Sequence, residues 1–249
     1  MNSEDAQAPR PLSARSVVLS LLLGAHRPEM PVRDLVRAVA PFGVSEATLR
    51  VALTRMTAAG DLHRSAGTYR LSDRLLDRQR RQDEAVHPRT RPWDGDWEMA
   101  VVPAGGRGPA ERAGLRAELS RLRLAELREG VWLRPANLRR TWPESLAPVL
   151  QRFTARPGQD PRELAARLWA PAAWAGAAEE LLGRFTRTTG PAERFAAAAA
   201  IVRHLLTDPV LPAALLPPHW PAGELRAAYT AYQEEAIALG LGAAGAERA

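Results

Sequence analysis

The sequence predicts a multidomain α+β protein, and three observations carry that prediction. Between Ala14 and Ser72, three helical segments lead into a short β-hairpin. From Trp97 to Leu138 the pattern is strand, helix, strand. The last third is rich in alanine and punctuated by prolines, and it reads as helices.

At 249 residues the chain exceeds what one small core needs, so two or three domains are expected. Its hydrophobic content of 46% is enough for sizeable cores. The absence of cysteine excludes disulfides, thiol nucleophiles and cysteine-ligated zinc. All 34 basic residues are arginine, and the formal net charge is +6. The excess is concentrated N-terminally: residues 1–90 hold 14 Arg against 10 acidic residues, and residues 91–249 hold 20 against 18. That bias suits a polyanionic partner. The opening MNSEDAQAPRP has no apolar core and is no secretory signal. The apolar runs Leu19–Leu23 and Phe195–Val202 are too short to span a bilayer. A soluble, cytoplasmic protein without a membrane partner is expected, with disordered tails at 1–12 and 241–249.

Each element follows from local signals. ARSVVLSLLLGA reads as a buried helix with Ser13 as N-cap, and HRPEM as a turn. Pro31 opens a second helix whose Val32, Leu35, Val36 and Val39 share helical spacing, and Pro41-Phe42-Gly43 ends it. Ser45 caps a third helix that runs to about Ala59 and stops at Gly60. DLHRS and TYRLS form a hairpin across Ala66-Gly67. This is the order of a winged helix-turn-helix over residues 13–72. A charged helix, DRLLDRQRRQDEA, makes a linker over 73–91, with a boundary near Pro88–Pro92. Residues 92–168 form the middle domain. It holds a WEMAVV strand, a PAGGRGPA loop, an ERAGLRAELSRLRLA helix and a returning strand in REGVWLRPANL. Residues 169–240 form a helical C-terminal domain, with TDPVLPAALLPPHWP as a loop between its helices.

The third helix has two faces. Leu49, Ala52, Leu53 and Met56 cluster on one side as core. The other side carries Ala47, Val51 and Thr54, flanked by Thr48, Arg50 and Arg55. Small residues in the middle allow close approach to a groove floor. Arginines on the flanks can reach guanine edges or phosphates, and Ser45 and Thr48 lie where backbone N–H groups can meet a phosphate. Ser45, Thr48, Arg50, Val51, Thr54 and Arg55 are therefore the expected DNA-binding surface, with Arg64 and Arg70 on the wing.

These blocks resemble a known family. VSEATLRVALTRMTAAGDL with TYRLS, WDGDWEMAVV with ERAGLRAELSRLRLAELREGVWLRPANL, and DPVLPAALLPPHWP are together similar to the phenylacetic-acid-degradation repressor (PaaX) family of transcriptional regulators. The resemblance covers nearly the whole chain in the right order. It implies a winged helix-turn-helix, a ferredoxin-like middle domain and a helical C-terminal domain. It also implies a homodimeric repressor on double-stranded DNA, released by a small-molecule effector such as an aryl-acyl-CoA or another pathway metabolite. A two-fold dimer would read an inverted or pseudo-palindromic operator. The hairpin tip SAGTYR is less basic than the family's, and RLAEL replaces its usual turn after the middle helix. The middle domain also resembles small CRISPR-associated nuclease-like proteins. Those need an acid at the end of the first strand, where this chain has Val101-Val102-Pro103.

No catalytic, metal or cofactor motif accompanies these features. The five histidines lack metal-ligand spacing, and there is no nucleophile elbow or P-loop. Gly105-Gly106-Arg107-Gly108 could nestle an anion or be a flexible loop. Trp132, Arg134, Arg203 and His204 are the expected effector-binding residues: an aromatic surface and charges suited to a phosphorylated ligand. Two other readings stay open. One is a co-regulator whose winged helix docks protein, and the other is a small-molecule enzyme on the later domains.

Overall fold

A computed structural model describes residues 13–24, 28–103 and 105–245. The expected tail at 1–12, and residues 246–249 of the one expected at 241–249, lie outside the described residues. The chain divides into two compact units. The first comprises Met1–Val86, Ala178–Leu206 and Gly223–Ala249, and the second His87–Ala177 and Thr207–Ala222. The expected C-terminal domain 169–240 is thus shared between both units, for a packing reason given below.

In the first unit the order is α1 (Ala14–Gly24), β1 (Glu29–Pro31), α2 (Val32–Val39), α3 (Glu46–Ala58), β2 (Leu62–Ser65), β3 (Thr68–Leu71) and α4 (Asp73–Val86). Ser13 Oγ accepts from the Ser16 N–H at 3.1 Å and caps α1. Ser45 Oγ accepts from the Thr48 N–H at 3.2 Å and caps α3. Gly60, at φ +70°, closes it. The hairpin turn Ala66-Gly67 has positive φ at both residues, +47° and +78°, the pattern of a type I′ turn.

Segment HRPEM is not simply a turn. Its last two residues begin β1, which pairs antiparallel with β3 through Glu29↔Arg70 and Met30↔Tyr69. A three-residue strand has no periodicity of its own. Only the partner creates it, giving the sheet order β1-β3-β2. Beneath the sheet lies one apolar core, in which Val17, Val18, Leu22, Leu35, Leu49, Leu53, Met56, Leu62 and Leu71 are buried.

Among the described residues of this unit, Asp61 is the buried charged side chain, beside buried Ser72 and Gln82. The Asp61 carboxylate accepts from Arg15 of α1 at 2.8 Å and from Arg74 of α4. Its N–H donates to the Met56 carbonyl at 2.9 Å, and its own carbonyl takes the Ser72 N–H at 2.9 Å. Gln79 of α4 donates to the carbonyls of Leu22 and Leu23, satisfying the end of α1.

The later helices are α6 (Pro161–Trp169), α7 (Pro171–Arg187), α8 (Pro191–Leu205) and α9 (Ala222–Gly245). Ala170, at φ +44°, separates α6 from α7. α8 buries Phe195, Ile201, Val202 and Leu205. Phe195 meets Phe42, in the turn before α3, edge to face at 5.6 Å. α9 docks on the end of α4 through Arg226, which donates to the Ala85 carbonyl. These contacts draw α8 and α9 into the first unit. α9 also runs through Gly245, so the expected disordered tail is helical over 241–245. An alanine-rich stretch propagates a helix at little cost once its first turns are docked.

The second unit is built on a four-stranded antiparallel sheet. Its elements are β4 (Trp97–Val101), α5 (Pro109–Arg121), β5 (Ala125–Arg128), β6 (Val131–Pro135) and β7 (Gln151–Ala155), with strand order β5-β6-β4-β7. The expected single returning strand is a hairpin, because Gly130 at φ +75° turns the chain between β5 and β6. The helix expected to reach Ala125 stops at Arg121, since Arg123 adopts φ +60°. One sheet face packs Trp97 and Leu133 against α6 and against Leu211 and Leu215. That contact holds residues 207–222 in this unit. The other face packs Ala100 and Trp132 against Leu119 of α5, Leu146 and Leu150.

Two predictions follow from the first unit. Asp61→Ala removes two charge-assisted pairs and lowers stability by about 2 kcal/mol, read by chemical denaturation. Tyr229 and Tyr232 of α9 are pushed by burial from 10.0 up to about 12, with the charges of Asp83 and Tyr229 respectively adding to the shift. Their contribution to stability is fully present below about pH 10 and is lost as pH rises through about 12, because the unfolded chain ionises first. Melting curves across that window should show the loss, and Tyr229→Phe should reduce it.

Candidate nucleic-acid interface

α3 is fixed by its inner face and free on its outer one. Leu49, Leu53 and Met56 are buried, whereas Ser45, Thr48, Arg50, Val51, Thr54 and Arg55 are all exposed. The residues predicted for the reading surface therefore share one side of one helix. Val51, 51% exposed, is among the few large apolar side chains left in water.

The polar groups on this face are not equivalent. Ser45 and Thr48 hydroxyls bond each other at 2.9 Å across the capping turn. Thr54 Oγ1 donates back to the Arg50 carbonyl at 3.0 Å, which leaves its methyl as the outward apolar contact. Arg50 is held by Glu46 through Nε at 2.8 Å and Nη2 at 2.5 Å. Such an exposed i,i+4 pair is weak, so a phosphate or a base edge can displace it. Arg55 forms no ion pair among the described residues and presents its whole guanidinium fork.

The hairpin separates its two arginines. Arg64 stands in register with Tyr69, and its guanidinium lies 5.9 Å from that ring's centroid. Arg70 stands in register with His63 on one side and Glu29 on the other. Side chains in register share a sheet face, so Arg64 and Arg70 point to opposite faces. Glu29 also offsets the charge beside Arg70. The opposition follows from the register of the β2–β3 hairpin itself, and β1, which had no signal in the sequence, adds only Glu29.

The four expected effector residues are divided between the units. Arg203 and His204 lie in the last turn of α8, in the first unit, where cations suit the helix dipole. Trp132 and Arg134 lie on β6 in the second. Trp132 lines a cavity of about 480 Å3. Arg134 is fully buried, and its donors are committed. Nη2 bonds Asn137 Oδ1 at 2.8 Å and the Val210 carbonyl at 3.2 Å, and Nε bonds the Pro135 carbonyl at 3.0 Å. Asn137 Nδ2 donates to the same Val210 carbonyl at 3.0 Å. Val210 is held at φ +50°, a costly conformation for a β-branched residue, and Asp208 Oδ1 accepts its N–H at 2.8 Å. Burial, and then the nearby charge of Arg140, lower the Arg134 pKa from 12.5 to about 9, so it remains charged near neutrality. Asp94 and Asp96, before β4, work as turn residues: Asp94 Oδ1 accepts the Asp96 N–H at 3.2 Å, and Asp96 pairs with Arg156.

Sequence reasoning named the Gly105-Gly106-Arg107-Gly108 loop as a possible anion nest but missed Arg112 and Arg116, which line the cavity with Arg107 and Trp132. A signal was present in the i,i+4 spacing of Arg112 and Arg116 behind a glycine-rich loop.

These placements yield a contrast in stability. Arg134→Ala strands Asn137 Oδ1, leaves the Val210 carbonyl with Asn137 Nδ2 as its remaining side-chain donor and costs about 3 kcal/mol, whereas Arg55→Ala leaves the melting temperature unchanged. Thermal melts of the two variants check it.

Comparison with known proteins agrees across the chain. Residues 13–75 match the family described as PaaX-like protein, residues 90–151 the PaaX protein central Cas2-like domain, and residues 173–241 the PaaX-like protein C-terminal domain. Among solved structures, the uncharacterized protein Rv0674 from Mycobacterium tuberculosis is 50% identical, with a TM-score of 0.81. That match covers 93% of this chain and 98% of that one. A comparison with curated proteins found no match.

Proposed function

The chain belongs to the PaaX-like family, whose members are regulators that repress phenylacetic acid degradation genes, and on that premise we propose that it is a DNA-binding transcriptional repressor. α3 is the reading helix of a winged helix-turn-helix. Arg50, Val51, Thr54 and Arg55 enter the major groove, Ser45 and Thr48 lie against the backbone, and Arg64 and Arg70 sit on the wing.

The observation that carries this reading is the outer face of α3: two arginines flanking small and apolar side chains, all exposed, on a helix whose other face is buried. The element order α1-β1-α2-α3-β2-β3 with its three-stranded sheet supports the winged-helix assignment. The strand order of the second sheet supports a ferredoxin-like middle domain, with a single turn at Glu144–Leu146 in place of that fold's second helix.

The repressor works as a cytoplasmic homodimer. Two α3 helices related by a two-fold axis meet successive major grooves, about 34 Å apart or a multiple of it, on an inverted or pseudo-palindromic operator. A small effector, an aryl-acyl-CoA or another pathway metabolite, releases DNA by binding one conformation better than the other. Among the described residues, no helix is long and apolar enough to cross a membrane.

Exposed Val51 also suits a protein-docking surface, and salt separates the two readings. Fluorescence anisotropy with labelled DNA from upstream of the protein's own gene, against scrambled DNA, should give affinity that falls steeply with salt. Arg50→Ala or Arg55→Ala should reduce preference for the native site by about 1–3 kcal/mol. Salt-insensitive binding, with variants matching the parent, would favour protein docking.

A further inference from the structure

We infer that the second unit holds a binding site for a small amphipathic anion: an apolar or aromatic body carrying one carboxylate, sulfonate or phosphate. As the effector site it rests on the repressor reading for its purpose, but binding itself requires no DNA. The site is the cavity of about 480 Å3 between the end of β4, the outer side of α5 and the β5–β6 turn. That volume lies in the range of small-molecule sites, about 300–1,000 Å3.

The backbone explains why the space exists. Val102 donates to the Gly130 carbonyl at 2.7 Å, which clamps the β5–β6 turn onto the end of β4. A Cβ at Gly130 would stand 2.7 Å from the Val102 oxygen, so only glycine permits this approach. Gly105 and Gly106 then turn away at φ +141° and +73°, with nothing within 4 Å of where their side chains would begin. One end of the wall is thus drawn tight and the other is left open.

The lining chooses the ligand class. Trp132, Leu115, Val102 and Pro103 provide an apolar surface. Around it stand Arg107, Arg112 and Arg116, against Glu126 and Glu129. Arg116 and Glu126 pair with each other and cancel. Arg107 donates to the carbonyls of Pro103 at 3.2 Å and Val149 at 3.1 Å, and Arg112 donates to the Arg107 carbonyl at 2.9 Å. Carbonyls orient these guanidinium groups without neutralising them. Arg107 and Arg112 therefore face Glu129 alone, leaving one net positive charge beside an apolar floor. At the start of α5 the Gly108 N–H is taken by Glu111 at 3.0 Å. A cation meets repulsion here, and a wholly apolar molecule leaves the arginines unused.

The test titrates the full chain, free of DNA, with 1-anilinonaphthalene-8-sulfonate, an aromatic monoanion that fluoresces on leaving water. The expected result is saturable binding at one site per chain. Ala113→Trp, which fills the cavity from an exposed position of α5, should weaken binding at least tenfold. Arg112→Glu should do so independently, and circular dichroism melts should show both variants folded. Phe153→Ala removes an apolar side chain that is 47% exposed on β7, away from the cavity, and should leave binding unchanged. Absent or unsaturable binding, parental affinity in the two cavity variants, or loss in Phe153→Ala alone would each overturn the proposal. Because the titration contains no DNA, a failure of operator binding leaves this result standing, and the converse also holds.

Discussion

Asp61 sits where α3 ends and the hairpin begins, and its carboxylate has almost no contact with water. A bare charge in that position would cost several kcal/mol. Two arginines offset the cost, one from α1 and one from α4, and both remain largely in solvent. Only the carboxylate is desolvated, while each guanidinium keeps much of its hydration. The same residue closes the backbone on both sides, through Met56 and Ser72. α1 and α4 thereby meet the end of α3 and the hairpin at one residue. On the proposed reading, a recognition helix and a wing need a fixed mutual angle, which ties the candidate nucleic-acid face to this cluster.

The second unit uses the opposite arrangement. Here the arginine is buried and its partners are carbonyls. Arg134 and Asn137 converge on the Val210 oxygen and hold the left-handed backbone of the Asp208-Pro209-Val210 segment in place. Leu211 and Leu215 follow directly and cover one face of the sheet. Strain at Val210 is the local cost of bringing a distant part of the chain onto that face. The other face opens towards the cavity around Trp132, so one β-strand serves a structural network and a binding surface two residues apart.

On the repressor reading proposed above, the two units carry different parts. The first supplies a rigid helix with arginines on its solvent side. The second supplies a space of ligand size with a small positive excess. The charge of the whole chain is modest, and its concentration in residues 1–90 matters more than its total.

Much of this was legible in the residues themselves. Helices α1, α2 and α3 announce their buried faces by spacing and their starts by Ser13 and Ser45, because helical periodicity and capping are local effects. The outer face of α3 follows from the same periodicity. β1 and β7 carried no comparable signal, since a short strand exists only through its partner. The role of Arg134 was equally hidden. An arginine flanked by Trp132 and Pro135 reads as a ligand contact until the carbonyl of Val210, far along the chain, takes its donors. By itself, then, the sequence determined the helices, their apolar faces and the family. Tertiary structure alone decided strand pairing, the sharing of the last third between two units, and which arginines stay free, because each depends on contacts between residues remote in the chain.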